Sequence, residues 1–290
     1  MSSNFVGALW ALLATLMFAT AAAMVKKIGN EYHVIEIIVV RQAVLLLVVL
    51  PSIIGNFPGI FITKRPGVHA TRLTGASIGL VAGFAAVSVL PLTTAVVLGF
   101  SQVFMVSLLA IFLLGERIGL QRVFAILTGF VGVLVVIRPG SDGFADVYSL
   151  LAVLGAFGAA LAIVSVRRLT KTESTATLLA YQAIFVGLIA AIPLYWVWKT
   201  PDLYGLMMMI GIGIVSSIGQ WVGVQALRAA EASVVASMEY MKLIHATIIG
   251  YLLFSEWPDI YTFLGAAIII SAAIFTMWRE AGVKSHQAAN

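Results

Sequence analysis

The sequence predicts an all-α polytopic membrane protein, ten transmembrane helices arranged as two inverted five-helix repeats. Three observations predict it. Of 290 residues 61% are hydrophobic and only 10% are charged, more apolar surface than a soluble core of this size buries. The apolar residues run continuously in segments of roughly 20, the length that crosses about 30 Å of hydrocarbon as helix, and do not alternate as barrel strands do. Laid over itself so that Gln42 falls on Gln182, the chain partly matches: Ala43 falls on Ala183, Gly79 and Gly83 on Gly219 and Gly223, and Glu116 on Glu256. Such self-similarity marks a duplication. Five spans per copy is an odd number, so the second copy must be inverted in the bilayer.

The spans are expected at 4–25, 33–54, 72–90, 92–114, 119–137, 147–166, 177–198, 204–226, 232–254 and 260–278. The first lacks the basic start of a signal peptide, and removing it would break the repeat. Spans three and four are joined by little more than Leu90, Pro91 and Leu92 and should form a tight pair. The one joint with loop composition, Arg138-Pro139-Gly140-Ser141-Asp142-Gly143, divides the chain into repeats at 1–140 and 141–290.

Orientation follows from the basic residues. With the N-terminus inside, the cytoplasmic side carries Lys64, Arg65, Arg72, Arg117, Arg122, Arg167, Arg168, Lys171, Arg228, Arg279 and Lys284, against Lys26, Lys27, Arg138 and Lys199 outside. Both termini are therefore expected in the cytoplasm. Lys26 and Lys27 run against this bias and are expected to cap span one, where a cation suits the helix dipole, or to face an aqueous vestibule. Gly75, Gly79 and Gly83 on span three, and Gly219 and Gly223 on span eight, recur every four residues and allow close backbone approach. The stripe reads first as packing and second as a face on which helices slide.

Ionisable residues inside the spans are the candidates for chemistry, because a charge at mid-bilayer costs roughly 3 kcal/mol on insertion scales. Span nine carries Glu239, Lys242 and His245 at spacings of three; their counterparts on span four are Gly99, Gln102 and Met105. Charges confined to one repeat are not needed to build a symmetric scaffold. Either Glu239 and Lys242 neutralise each other as an i, i+3 pair, or they face a cavity where Lys242 takes an anionic group and Glu239 a cation or proton. His245 is suited to proton handling or is simply hydrogen-bonded. Arg41, with Gln42 on span two, lies too deep to go without a partner, and Glu36 is poorly spaced to be one. Gln220, Trp221 and Gln225 on span eight, with Gln102 and the equivalent pair Phe100 and Tyr240, are candidates to line a pocket for an organic solute, packing being the alternative. Glu116 and Glu256 end equivalent helices, where the dipole disfavours an acid; they are read as structural salt bridges or as gates.

These residues resemble the EamA-type permeases of the drug/metabolite transporter superfamily. The likeness rests on Phe112-Leu113-Leu114-Gly115-Glu116-Arg117, on Gly129, Gly132, Arg138, Pro139 and Gly140, and on Tyr240 with Glu256, Pro258, Gly265, Arg279 and Glu280. It covers nearly the whole chain. In the bacterial subgroup it looks closest to, an acid precedes the matching Tyr and a base follows it by two, which maps onto Glu239 and Lys242; Ser237 stands where that subgroup often has Pro, which puts a helix break there in doubt. The resemblance implies a secondary transporter of small organic metabolites, often an exporter of amino acids or related compounds.

Inverted repeats around a midplane site independently predict an alternating-access carrier. A membrane enzyme is disfavoured by the absence of cysteine and of any HExxH motif, and a channel by the absence of a filter loop. No GxxxxGK[ST] motif is present, so energy is expected from a gradient or from exchange. The expected partners are a small-molecule substrate and the lipid bilayer, with no nucleic acid, no metal and no cofactor, in a monomer or homodimer.

Overall fold

The computed structural model describes residues 3–114, 120–137, 147–169, 172–229 and 238–288. Among them the regular structure is helical: α1 (Ser3–Ile28), α2 (Val34–Gly55), α3 (Pro66–Val89), α4 (Leu92–Gly99), α5 (Ser101–Leu114), α6 (Leu120–Ile137), α7 (Val147–Leu169), α8 (Thr175–Tyr181), a π-turn at Gln182–Val186, α9 (Gly187–Val197), α10 (Leu203–Ala229), α11 (Met241–Phe254) and α12 (Ile260–Ala288). Among the described residues six helical stretches are long and apolar enough to cross a bilayer, and shorter apolar helices cover Leu92–Val106, Leu127–Ile137, Met241–Phe254 and Ile260–Ala272.

Two expectations about these elements need correction. The third helix begins at Pro66, well before the expected start at 72. Proline fills the first turn, where its missing N–H costs nothing, so Arg72 is not a loop base but a buried residue of α3, 4% exposed. The fourth span is not one helix. It breaks at Phe100 into α4 and α5, and the equivalent position of the second half, Tyr240, lies in a turn that precedes α11. A break therefore does occur near the place where Ser237 replaced an expected proline; Ser237 itself, the 138–143 joint, Glu116 and Arg117 lie outside the described residues.

Interhelical packing follows the same internal repeat. α3 lies along α7 and α10 along α1; α4 meets α7 and α11 meets α1; α2 meets α9, α4 meets α11, and α6 meets α12. Each of these contacts maps onto another of them or onto itself. Where helices have no hydrophobic drive toward one another in lipid, small residues let backbones touch. A Cβ built on Gly75 would lie 2.7 Å from the Gly158 carbonyl oxygen, and one on Gly158 2.5 Å from the Gly79 nitrogen. α10 uses the equivalent stripe more loosely, Gly219 against Met17 and Gly223 against Ala14 of α1. The largest buried cluster, with Leu92, Val97, Leu98, Phe104, Val133 and Ile269, sits where α4, α5, α6 and α12 converge.

The outer surface is apolar, with Leu47, Ile54, Leu188, Ile192 and Leu252 exposed, which suits lipid and not water. Tyr195, Trp196, Trp198, Tyr204, Trp257 and Tyr261 are exposed around the α9–α10 and α11–α12 connections, as in an aromatic belt at an interface. Beside the α9–α10 connection Tyr32 Oη donates to Asp202 Oδ1 at 2.8 Å, and Asp202 Oδ1 also accepts from Gly205 N at 2.7 Å, capping α10. The Gly205 amide and the Tyr32 hydroxyl hold the Asp202 carboxyl below its ordinary value. The Asp202 acceptor, with burial, pushes the Tyr32 phenol up.

Candidate functional site

The residues singled out by sequence fall into three groups. The first lies against α1. Lys242 and His245 are one helical turn apart on α11, which packs on α1. His245 Nδ1 is 3.3 Å from Thr15 Oγ1, whose hydroxyl also meets the Leu12 carbonyl oxygen at 2.8 Å. Lys242 Nζ stands 5.9 Å from the centre of the Phe18 ring, a cation–π arrangement. Trp221 meets Trp10 edge-on, centroids 5.9 Å apart. Gln220 and Gln225 on α10 and Gln102 on α5 are half-buried. Thr15, Phe18 and Trp10 are not singled out by the sequence, because α1 has no charge in its interior; the available signal is Thr15, a hydroxyl in an apolar span, which the structure buries to 1% exposed.

Glu239 and Lys242 do not neutralise each other. Glu239 is exposed in the turn before α11, and among the described residues its carboxylate makes no ion pair with Lys242. The cause is local geometry: the i, i+3 pairing needs both residues on one regular helix, whereas α11 starts only at Met241. Phe100 and Tyr240 do meet, with ring centroids 5.6 Å apart. Being equivalent in the internal repeat and in contact, they lie where the two halves meet.

The second group surrounds Arg41. Arg41 Nη1 donates to Gln42 Oε1 at 2.6 Å, Gln42 Nε2 donates to the Gln182 carbonyl oxygen at 2.8 Å, and Arg72 donates through Nη1 to Leu178 O at 3.0 Å and through Nη2 to Gln182 Oε1 at 2.9 Å. Gln42 and Gln182, again equivalent positions, touch across the interface of the halves. Arg41, Gln42 and Arg72 are 4%, 1% and 4% exposed. The sequence predicts that Arg41 needs a partner without naming it, and it counts Arg72 among the loop bases. Among the described residues no hydrogen bond or ion pair joins Arg41 to the Lys242 group.

The third group is a strut. Lys26 Nζ pairs with Glu256 Oε1 at 2.8 Å and donates to Leu90 O at 2.6 Å, while Glu256 Oε2 accepts from Leu92 N at 3.0 Å. Lys26 thus satisfies the C-terminus of α3 and not its own helix. Glu256 is swung back by Ser255, whose φ of 55° closes α11 with a left-handed turn. The partner of Glu256 comes from α1, at the other end of the chain.

Among the described residues no cluster of three His, Asp or Glu side chains forms a metal-binding group.

A profile of the EamA-like transporter family matches residues 5–138 and again 147–278. The chain is 29% identical over 275 residues to an S-adenosylmethionine uptake transporter of Rickettsia bellii, covering 95% of this chain and 94% of that one. It is 29% identical over 282 residues to a riboflavin transporter of Vibrio cholerae, 94% and 93% covered. It is 31% identical over 274 residues to the pseudopaline exporter CntI of Pseudomonas aeruginosa, 92% and 94% covered. A crystal structure with 16% identity superposes with a TM-score of 0.59 over 94% of each chain, which supports the fold alone. A doubled family match and full-length transporter relatives leave no place for an enzyme: the chain is a multi-pass membrane protein of the drug/metabolite transporter superfamily, moves a small metabolite, and belongs to the EamA-like transporter family.

Proposed function

We propose that this transporter is a secondary carrier that exports or exchanges a zwitterionic or amphiphilic metabolite, such as an amino acid, across the bacterial inner membrane. It has ten spans in two inverted repeats, 1–140 and 141–290, and both termini lie in the cytoplasm. The repeats rock against each other around the interface marked by Phe100 and Tyr240, and transport draws on a gradient, protons included, or on exchange. The observation that supports this reading is that Lys242 and Glu239, close neighbours in the chain, make no ion pair among the described residues. A solute bearing a carboxylate and an ammonium group satisfies both. The aromatic rings of Phe18, Trp221 and Tyr240 hold its apolar part, and Gln102, Gln220 and Gln225 supply hydrogen bonds. His245, held by Thr15, handles a proton.

The relatives carry three different solutes, so the family by itself does not select the class. A second reading, uptake of a vitamin, nucleoside-like or organic-anion solute, is favoured by the S-adenosylmethionine uptake transporter among them. Thermal shift of the purified protein against amino acids, betaines, nucleosides, organic acids and vitamins, followed by counterflow in proteoliposomes, separates the two. A solute that raises the melting temperature of the wild type but of neither Glu239→Gln nor Lys242→Gln supports the site. A shift preserved in both variants removes it.

A further inference from the structure

We propose that Arg41 and Arg72, tied together through Gln42 and Gln182, form a second binding site, for an oxyanion (carboxylate or phosphate), separate from the Lys242 site. Both guanidiniums are buried, 4% exposed each. Taking a cation out of water costs several kcal/mol unless an opposite charge or a full set of hydrogen bonds compensates. Neither is supplied among the described residues. Their acceptors are neutral: one glutamine oxygen for Arg41, a backbone carbonyl and a second glutamine oxygen for Arg72. The Nε of each is buried without a hydrogen-bond partner.

The acids in this part of the fold do not serve. Glu173 is turned to Thr63, at 2.7 Å, and lies 4.0 Å from His69. Glu36, 1% exposed, has both oxygens without a hydrogen-bond partner. Two buried cations with donors to spare therefore stand on α2 and α3 without a counter-charge among the described residues. Arginine forks match the oxygens of carboxylate and phosphate, two N–H groups to two oxygens.

The position supports the same conclusion. Gln42 and Gln182 are equivalent residues of the two halves in direct contact, so the two guanidiniums they hold, on α2 and α3, sit at the interface between the halves, against the π-turn that carries Gln182. π-turns recur at functional sites because they break the regular carbonyl ladder, and here the turn opens at Gln182, whose backbone and side-chain oxygens both accept from the other half. An anion that closes on Arg41 and Arg72 together joins α2 to α3 and competes with the glutamines, coupling occupancy to the contact between halves.

The test is a melting titration of the purified full chain with potassium phosphate, and separately potassium acetate, at ionic strength held constant with potassium chloride. The expected result is a saturable rise of roughly 3 °C or more, lost in Arg41→Gln and in Arg72→Gln and retained in Lys242→Gln. Absence of a saturable rise with both anions, or a rise kept in both arginine variants, overturns the site. If the glutamine variants do not fold, Arg41→Lys and Arg72→Lys keep the charge and lose the fork; a rise in half-saturating phosphate of roughly tenfold is expected, and unchanged half-saturation in both overturns the proposal. The source of the oxyanion is read by adding a transported solute to phosphate-saturated protein: competition means that the solute's own acidic group occupies the site, additive shifts a separate inorganic ion. Since the Lys242 variants are scored independently, failure of the carrier site leaves this result standing.

Discussion

Gln42 Nε2 donates to the main-chain oxygen of Gln182 at 2.8 Å, and the two glutamines are the same position in the two halves of the chain. Phe100 and Tyr240 repeat the relationship with their rings. Equivalent points that touch lie near whatever axis exchanges the halves, so these two pairs mark it. The two candidate sites are built around them, and the following outcomes are expected.

Breaking the strut between α1, α3 and α11 should destabilise the fold. Lys26→Met and Glu256→Gln are each expected to lower the melting temperature, with a coupling energy of about 1–2 kcal/mol in the double-mutant cycle. Lys26 also carries the Leu90 carbonyl, so its single variant should cost more than that of Glu256. Additive effects would mean that the pair contributes nothing.

Gly158→Ala should cost about 1–3 kcal/mol by overpacking, because its new methyl meets the backbone of Gly75 and Gly79, which cannot yield as a side chain can. Gly83→Ala, where a Cβ meets nothing within 4 Å, is the matched control and should change stability by less than about 0.5 kcal/mol. Size-exclusion profiles after graded heating measure both.

Ser255 holds a left-handed conformation, φ 55°, that strains an L-residue and not glycine. Ser255→Gly should stabilise the protein by about 1 kcal/mol while leaving Glu256 in place. A loss of stability would show that the serine side chain has a use beyond the turn.

The latch between Tyr32 and Asp202 predicts a pH dependence with a definite sign. The Asp202 carboxyl is held below its unfolded value, so its contribution is present above that value and lost as pH falls through the folded one. The Tyr32 phenol is raised, so its contribution is present below the ordinary tyrosine value and lost as pH rises through the folded one. Stability of Asp202→Asn measured against pH should approach that of the wild type in strong acid and diverge from it near neutrality. A constant offset across the acid range would refute the assignment.

Thr15→Val removes the hydroxyl that meets His245 while keeping volume. About 1 kcal/mol of hydrogen-bond energy predicts a roughly fivefold rise in transport KM and an altered pH profile, with the melting temperature little changed. An unchanged KM and profile would leave His245 a packing residue.

Sequence by itself determined the solvent, the helical class, most helix positions and the self-similarity, since each is written in local hydropathy or in the match of one half of the chain to the other. It also found Arg41, Lys242 and His245, because a charge or an imidazole well inside an apolar span stands out, and it missed Arg72, which sits at a span's end among loop bases. What only the tertiary structure decided was pairing. Glu256 meets Lys26 of the first helix, Lys242 faces Phe18 and not Glu239, and Arg72 turns inward to Gln182 and not out to water. The spacing of Glu239 and Lys242 suggested a pair, and the turn before Met241 removed the regular helix that such a pair requires. Periodicity reports which face of a helix is apolar, not which helix lies opposite. In a membrane, where nearly every face is apolar, the partner is chosen by close approach at small residues such as Gly75 and Gly158, and that is a property of the assembled fold.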